Sequence, residues 1–210
     1  IHLEKRIPHG AGLGGGSSDA AATLLALNTL HDRPLSQVAL AELAAALGSD
    51  VPFFLGNQPA LCQGRGEIVA PASFPHTLHL VLIKPSFGVP TAWAYQRWSE
   101  SKPLPDIPAQ PQKLEGLQLI NDLKRPVVEK YLFLGLLKKW LLDQAESRVA
   151  LMSGSGSTLF AVAPDAPTAQ TLQAKAVAEF GDDLWTWTGT TIFAPDQSAP
   201  LDIESAHAVK

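Results

Sequence analysis

The sequence predicts an α+β fold with two domains, and two observations lead to that prediction. A glycine-rich stretch at residues 8–19 runs into helical patterns at 20–30 and between Ser36 and Gly48. In the second half, the main predicted elements follow the order β-α-β-β-α-β. That order is typical of the split arrangement in ferredoxin-like domains.

A cluster of turn-forming residues separates the two predicted domains. Pro71, Phe74 and Pro75 follow a predicted hairpin and precede a predicted strand. After Pro195 the hydrophobic periodicity ends, which is typical of a loose terminal segment. We therefore expect the remainder of a first domain at residues 1–75, a second domain at 76–195 and a loose tail at 196–210.

Composition restricts the class of protein. The 210 residues carry a net charge of −4 and are 46% hydrophobic, with no basic cluster. No run reaches the roughly 18 apolar residues of a membrane helix, and we expect no signal peptide. We expect no nucleic-acid partner and no membrane partner. The single cysteine, Cys62, is typical of a reducing, cytoplasmic location, and we expect it to be a small buried hydrophobic residue. One cysteine and scattered histidines do not favour structural zinc.

Elements of the first half follow from local patterns. Residues 1–7 alternate apolar with polar side chains and predict a strand, which we expect to continue from an upstream segment. Ser17 or Ser18 is a suitable N-cap for the first helix, and Ser36 for the second. A Gly-Arg-Gly-Glu group interrupts residues 60–69 and predicts a hairpin, with Arg65 and Glu67 as a structural pair.

Elements of the second half are predicted in the same way. The helix at 168–180 is expected to end at Gly181, and Trp185 and Trp187 to share one face of the last strand. The predicted elements are a strand at 77–84, a short helix at 91–98, a proline-rich excursion at 101–111, a long helix at 126–144, strands at 149–153 and 158–162, a helix at 168–180 and a strand at 184–194.

The glycine-rich stretch indicates a phosphate-binding loop. Glycines allow positive φ and close approach of a ligand to the backbone, and the N-terminus of the following helix attracts anions. A flexible linker, a dinucleotide-binding loop and a Walker loop are less consistent with it. No polar spacer precedes the helix, no second strand follows it, and no lysine ends the loop. The expected nucleotide-binding residues are Pro8, His9, Gly10, Ala11, Gly12, Leu13, Gly14, Gly15, Gly16, Ser17 and Ser18.

Two later stretches also stand out. Asp50 precedes Val51-Pro52-Phe53-Phe54, where it is suited both to capping a helical turn and to acting as a positioned carboxylate. Gly154-Ser155-Gly156 lies between two predicted strands, where a tight turn is expected. The residues alone therefore support a phosphate-binding loop together with a positioned carboxylate.

Together these three motifs resemble the superfamily of galactokinase, homoserine kinase, mevalonate kinase and phosphomevalonate kinase, the GHMP kinases. The triple glycine, the Ser-Ser-Asp-Ala-Ala run and the Asp-Val-Pro-Phe-Phe run are most similar to one branch, the 4-diphosphocytidyl-2-C-methyl-D-erythritol kinases. The resemblance implies a partial ribosomal-S5-domain-2-like first domain and a ferredoxin-like second domain. It also implies that the third glycine motif lies against the phosphate loop.

The resemblance further implies an ATP-dependent kinase that phosphorylates the 2-hydroxyl of a cytidine diphosphate methylerythritol in non-mevalonate isoprenoid biosynthesis. Asp50 would be the catalytic and substrate-binding carboxylate, Thr91 a substrate contact, and Ser18 a contact to Mg²⁺. An active-site lysine is expected upstream of Ile1, so we expect the 210 residues alone to be inactive. A homoserine or mevalonate-type acceptor, or an inactive nucleotide-binding fragment, remains an alternative, and we expect a monomer or homodimer.

Overall fold

A computed structural model describes residues 1–32, 34–101 and 111–192. The predicted proline-rich excursion lies mostly at 102–110 and the predicted tail at 196–210, both outside the described residues. The chain forms two compact units. One contains Ile1–Leu13 and Thr77–Thr191, and the other contains Gly14–His76 and, of the described residues, Ile192.

A four-stranded antiparallel sheet forms the larger unit. Its strands are β3 (His79–Lys84), β6 (Val149–Met152), β7 (Leu159–Ala163) and β8 (Trp185–Thr190), in the spatial order β6-β7-β3-β8. Helices α4 (Lys124–Lys130) and α5 (Leu132–Asp143) connect β3 to β6, and α6 (Ala166–Phe180) connects β7 to β8. Apart from the short helix α3 (Thr91–Trp98) and one additional hairpin, this is the predicted β-α-β-β-α-β order.

Alternation along the strands divides the apolar side chains between the two faces of the sheet. On one face, Val81 and Ile83 pack with buried leucines of the helices, among them Leu137, Leu141 and Leu172. On the other face, a smaller cluster contains Val149, Leu151 and Val162 together with Leu114. Both faces of the sheet are therefore covered, which fixes the strands that carry the third glycine motif.

The long helix predicted at 126–144 is two helices, because the chain leaves helical geometry at Tyr131, with φ −113° and ψ 72°. The Tyr131 ring stacks on Phe87 with centroids 5.1 Å apart and meets Trp93 edge-on at 5.9 Å. Pro126 lies in the first turn of α4, where proline is tolerated. The prediction of one continuous helix was therefore wrong at an aromatic contact that periodicity does not reveal.

A hairpin of β4 (Gln112–Leu114) and β5 (Leu117–Leu119) was not predicted. Each strand has three residues, too few for an alternation to be recognised. Gln112 ties β4 to β6, since its Nε2 donates to the Ala150 carbonyl (2.7 Å) and its Oε1 accepts from the Ala150 N–H (2.9 Å).

The smaller unit contains α1 (Gly15–Leu30), α2 (Gln37–Leu47), a 3₁₀ turn at Pro52–Leu55 and the hairpin of β1 (Ala60–Gln63) and β2 (Ile68–Pro71). Its buried apolar core is small and centred on Ala21, Ala44 and Val51. Ser36 caps α2 by accepting from the Ala39 N–H, and Gly48 ends that helix, as predicted. Several large apolar side chains of this unit are exposed, among them Leu27, Leu30, Leu35, Val38, Leu43 and Leu47.

The strand predicted at residues 1–7 is not formed. A strand requires a hydrogen-bonded neighbour, and no described strand pairs with this segment. Apolar alternation was therefore not sufficient to predict a strand. Within the described ranges, no helix combines the length and the apolar character needed to cross a membrane.

Candidate active site

Three glycines of the loop adopt left-handed backbone conformations. The φ angles of Gly10, Gly12 and Gly14 are 63°, 71° and 67°. Residues with a Cβ rarely take these values. Glycine is therefore required at these three positions by the backbone conformation of the loop, and not by a need for general flexibility.

The turn between β6 and β7 binds three successive carbonyl groups of the loop. The Ser157 N–H donates to Gly10 O (3.3 Å), the Thr158 N–H to Ala11 O (3.1 Å), and the Ser153 hydroxyl to Gly12 O (2.8 Å). In a trans peptide the N–H points opposite to the C=O. The N–H groups of Ala11, Gly12 and Leu13 therefore face away from the turn, on the side where an anion could accept them.

The contact between loop and turn is possible only because small residues line it. A Cβ on Gly12 would lie 2.2 Å from the Ser153 carbonyl oxygen, and one on Gly154 would lie 3.2 Å from the Gly12 carbonyl oxygen. The close approach of the third glycine motif to the phosphate loop, which the resemblance implied, is confirmed within the larger unit.

A second segment, residues 84–91, contacts the loop and the turn. The Val89 N–H donates to Gly10 O (3.3 Å), and the Ser157 hydroxyl donates to Phe87 O (2.6 Å). Lys84 is buried and donates to the carbonyls of Pro85 (2.8 Å) and Phe87 (3.0 Å), and burial lowers the pKa of its amine. Lys84 therefore anchors this segment from within the core.

Thr91, an expected substrate contact, lies at the first residue of α3. Its hydroxyl is 2.8 Å from the Ser155 hydroxyl in the turn. The aromatic residues of α3 differ in burial: Trp93 packs against the core, whereas Tyr95 and Trp98 are 63% and 41% exposed. Of these three residues, only Trp93 therefore contributes to the core of the larger unit.

Helix α1 begins earlier than predicted. Gly14 is its N-cap, no side chain caps it, and its first hydrogen bond runs from the Ser18 N–H to Gly14 O (2.9 Å). Ser17 and Ser18 lie inside the first turn, so the prediction of either as N-cap was wrong. Because the N–H groups of Gly15, Gly16 and Ser17 precede the first helical bond, they lack helical partners and form an N-terminus suited to an anion.

Ser18 retains the capacity to bind a cation. Its hydroxyl donates to Gly15 O (2.9 Å), which leaves the oxygen lone pairs as ligands. Among residues 1–32, 34–101 and 111–192, no cluster of three or more His, Cys, Asp or Glu side chains could hold a metal ion. One hydroxyl fits Mg²⁺ bound mainly by phosphate oxygens and water.

Asp50 precedes the 3₁₀ turn but does not cap it. The N-cap is Val51, no side chain caps the turn, and Asp50 is exposed. Its carboxylate lies against the tip of the β1–β2 hairpin, because a Cβ on Gly66 would be 3.1 Å from Asp50 Oδ1. The carboxylate therefore remains accessible, and the capping interpretation was wrong.

Cys62 also lies near Asp50. Burial raises the pKa of the Cys62 thiol, and the negative charge of Asp50 raises it further. The cysteine is nevertheless exposed, so the expectation of a buried hydrophobic residue was wrong. At the same hairpin Arg65 and Glu67 form the predicted pair, with the Arg65 N–H donating to Glu67 Oε2 at 2.7 Å.

Several residues that shape the two parts of the site were not found from sequence. Ser153 and Asn121 donate to backbone carbonyls that are distant in sequence. Lys84 donates to carbonyls one and three residues ahead, and Gly66 acts by leaving space. Lys84 and Asn121 belong to no motif, and the Gly-Arg-Gly-Glu group that contains Gly66 predicted a hairpin but not its position beside Asp50. Only the position of Ser153, directly before Gly154-Ser155-Gly156, was a usable signal.

Family models for GHMP kinases match both halves of the chain. The model of the GHMP kinases N terminal domain matches residues 1–58, and that of the GHMP kinases C terminal matches residues 112–183. The sheet order, the loop and the third glycine motif therefore belong to a GHMP-kinase fold.

Curated relatives define the family further. The chain is 49% identical over 163 residues to the 4-diphosphocytidyl-2-C-methyl-D-erythritol kinase of Methylacidiphilum infernorum, covering 77% of this chain and 56% of that protein. It is 38% identical to the same enzyme of a Synechococcus species and 35% identical to that of Thermodesulfovibrio yellowstonii, covering 93% of this chain in both and 68% and 71% of those proteins. The chain therefore belongs to the 4-diphosphocytidyl-2-C-methyl-D-erythritol kinase family.

Solved structures agree with this assignment. A crystal structure of 4-(cytidine 5'-diphospho)-2C-methyl-D-erythritol kinase superposes with a TM-score of 0.71 at 38% identity, over 90% of this chain and 69% of that one. A homoserine kinase from Cytophaga hutchinsonii superposes at 0.60 with 18% identity, over 90% and 68% of the two chains. The second match shows the shared fold alone. The chain spans from 56% to 71% of the length of the three curated relatives described above.

Proposed function

We propose that the protein to which this chain belongs transfers the γ-phosphoryl group of ATP to the 2-hydroxyl of 4-diphosphocytidyl-2-C-methyl-D-erythritol, in the cytoplasm. The observation that carries the proposal is the loop at Gly10–Gly12. Its three carbonyls are bound by the turn, so the N–H groups of the same peptides are free to face a nucleotide. The names of the relatives, at 35–49% identity, support the acceptor.

Phosphoryl transfer requires positioning and neutralisation of charge more than covalent chemistry from the protein. The loop N–H groups and the N-terminus of α1 would bind phosphate oxygens, and Ser18 would provide the protein contact to Mg²⁺. Bound Mg²⁺ would neutralise charge on the phosphates. The residues proposed to bind nucleotide are those predicted from sequence, from Pro8 to Ser18.

Asp50 is proposed as the group that orients the acceptor hydroxyl and accepts its proton. Its carboxylate is exposed and lies beside Gly66. An accessible carboxylate held beside a hairpin can meet a substrate hydroxyl at hydrogen-bond distance. Thr91, with its hydroxyl close to that of Ser155, is proposed as a further substrate contact.

The experiment is the Asp50→Asn substitution in the full-length protein. It preserves size but removes the negative charge, so we expect kcat to fall by roughly 10²-fold or more, the scale of a general base. The Kd of ATP, measured by titration, should stay within about twofold, because the substitution is not expected to alter the nucleotide-binding loop. A twofold change in Kd corresponds to about 0.4 kcal/mol. Near-wild-type kcat would remove Asp50 from the chemistry, and a parallel loss of ATP affinity would place it in the nucleotide site.

A further inference from the structure

The side chain of Asn121 bridges two backbone carbonyls on either side of Ser153. Its Nδ2 lies 2.7 Å from Met152 O and 2.8 Å from Gly154 O. Both partners are carbonyl oxygens, so only the amino group of the amide can face them. Asn121 follows the β4–β5 hairpin and is outside all three glycine motifs.

The residues held by Asn121 are the ones that contact the phosphate loop. Ser153, between the two bridged carbonyls, donates its hydroxyl to Gly12 O at 2.8 Å. Gly154 has φ 52°, and a Cβ there would lie 3.2 Å from Gly12 O. The turn therefore has little room to shift without displacing Gly12.

We infer that Asn121 is a positioning residue for the nucleotide: it fixes the turn at Ser153 and Gly154, and through them the Gly12 peptide. This inference rests on the proposed nucleotide-binding function of the loop. Small displacements of groups that position a substrate can reduce catalysis by up to about 10²-fold. Loss of Asn121 should therefore weaken ATP binding, although the residue lies outside the glycine motifs in sequence.

Gln112 provides a matched control on the same hairpin. It also forms two side-chain hydrogen bonds to the backbone of β6, both to Ala150. Ala150 lies in the middle of the strand, whereas Met152 is its last residue before the turn. Gln112→Ala and Asn121→Ala each remove two comparable hydrogen bonds, but only the second releases the turn.

The test measures the Kd of ATP and the thermal midpoint for wild type, Asn121→Ala and Gln112→Ala in the full-length protein. We expect similar decreases in thermal midpoint for both variants, and an ATP Kd about tenfold higher only for Asn121→Ala, with the acceptor KM unchanged. Asn121→Asp, which is isosteric but faces the two carbonyls with a negative charge, should bind ATP at least as weakly.

Each outcome has one reading. Equal ATP affinities in the two alanine variants would overturn the inference and leave the proposed function intact. Absence of ATP binding in the wild type would instead overturn the proposed function. If Asn121→Ala does not fold, Asn121→Ser and Gln112→Ser are compared in the same way, and equal affinities would again refute the inference.

Discussion

Gly66 illustrates how a residue without a side chain can shape the candidate site. Its φ is 121°, and a Cβ there would lie 3.1 Å from Asp50 Oδ1 and 3.4 Å from the Ser49 carbonyl oxygen. Gly64 in the same hairpin also has positive φ, 70°, but its Cβ would meet the flexible Glu67 side chain. The two glycines therefore share a positive φ, which would strain any other residue, and differ in their relation to Asp50.

We predict that Gly66→Ala lowers kcat about tenfold or more, because the methyl group displaces the proposed catalytic carboxylate. Gly64→Ala should retain near-wild-type kcat, while both variants lose about 1–2 kcal/mol of unfolding free energy from strain at positive φ. Steady-state kinetics and urea denaturation of both proteins provide the comparison. Equal kcat values would show that space at Gly66 has no bearing on Asp50.

Individual residues also show how far sequence reasoning reaches. The glycines at 10, 12 and 14 could be selected because their motif requires a particular backbone conformation. The role of Asp50 stays a prediction. The exposed position of Cys62 could not be predicted, because the alternation of side chains along a strand does not indicate which face of the strand is covered. Asn121 could not be selected either, since the carbonyls that it binds are 31 and 33 residues away and are brought close only by the fold. The carbonyl partners of Lys84 are local, but the burial of its side chain depends on the packing of the larger unit.

At the scale of elements, the N-terminus of α1 is the feature that bears most on the proposed nucleotide binding. Gly14 is constrained twice, by its φ of 67° and by the Phe54 ring, 2.6 Å from the position of a Cβ. A substitution there would disturb folding as well as binding. Gly16, in the first turn, is exposed and a Cβ there would have no neighbouring atom within 4 Å, so it tests the helix N-terminus more cleanly.

We predict that Gly16→Ala stabilises the protein by about 0.5–1 kcal/mol, because alanine favours a helix over glycine. It should also raise the Kd of ATP several-fold, since the methyl group obstructs phosphate at the free N–H groups. Ala22→Gly, at an exposed position further along α1, is the control and should destabilise without changing the Kd. An unchanged Kd in Gly16→Ala would argue against phosphate at this helix.

Helix α5 carries a buried lysine, Lys138. Lys138 is 2% exposed, and burial together with the nearby Lys124 lowers its amine pKa from 10.5 to about 8. The unfolded chain then binds more protons than the native protein between these two values. Because of this difference, stability rises as pH increases from about 8 to 10.5.

We predict that Lys138→Met raises the free energy of unfolding at pH 7 by roughly 1–3 kcal/mol and flattens its dependence on pH above 8. The neighbouring Lys139→Met is the control, because Lys139 is exposed and pairs with Asp143. Its stability should keep the wild-type pH dependence. The measurement is urea denaturation at several pH values between 7 and 10.5. If the free energy of unfolding of Lys138→Met still rose with pH as in the wild type, the lowered pKa of Lys138 would be contradicted.

The succession of elements could largely be predicted, and the exceptions have physical causes. Periodicity and caps located α2, α3, α6 and the four strands of the sheet to within a few residues. They missed the interruption at Tyr131, which coincides with stacking on Phe87, and the three-residue strands of the β4–β5 hairpin. The segment 1–7 shows the opposite error, in which a strand pattern lacks a described partner strand.

At the scale of the whole molecule, the family assignment rests on the agreement of independent features. The sheet order β6-β7-β3-β8, the loop and turn contacts at Gly12, and the two matching family models all indicate a GHMP kinase. The chain also leaves apolar side chains of α1 and α2 exposed, including Leu30 at 81% and Val38 at 69%. Such surfaces favour association, so we predict that the 210-residue chain self-associates.

The most direct test of the central claim is acceptor-dependent phosphoryl transfer by the full-length protein. ATP and Mg²⁺ are supplied with 4-diphosphocytidyl-2-C-methyl-D-erythritol, homoserine or mevalonate in turn, and ³¹P NMR identifies the product. We predict a new phosphomonoester on the 2-hydroxyl of the cytidine conjugate, formed with a kcat/KM at least about 10²-fold above the other two acceptors. Preferred transfer to homoserine or mevalonate, or no transfer to the cytidine conjugate, would contradict the account.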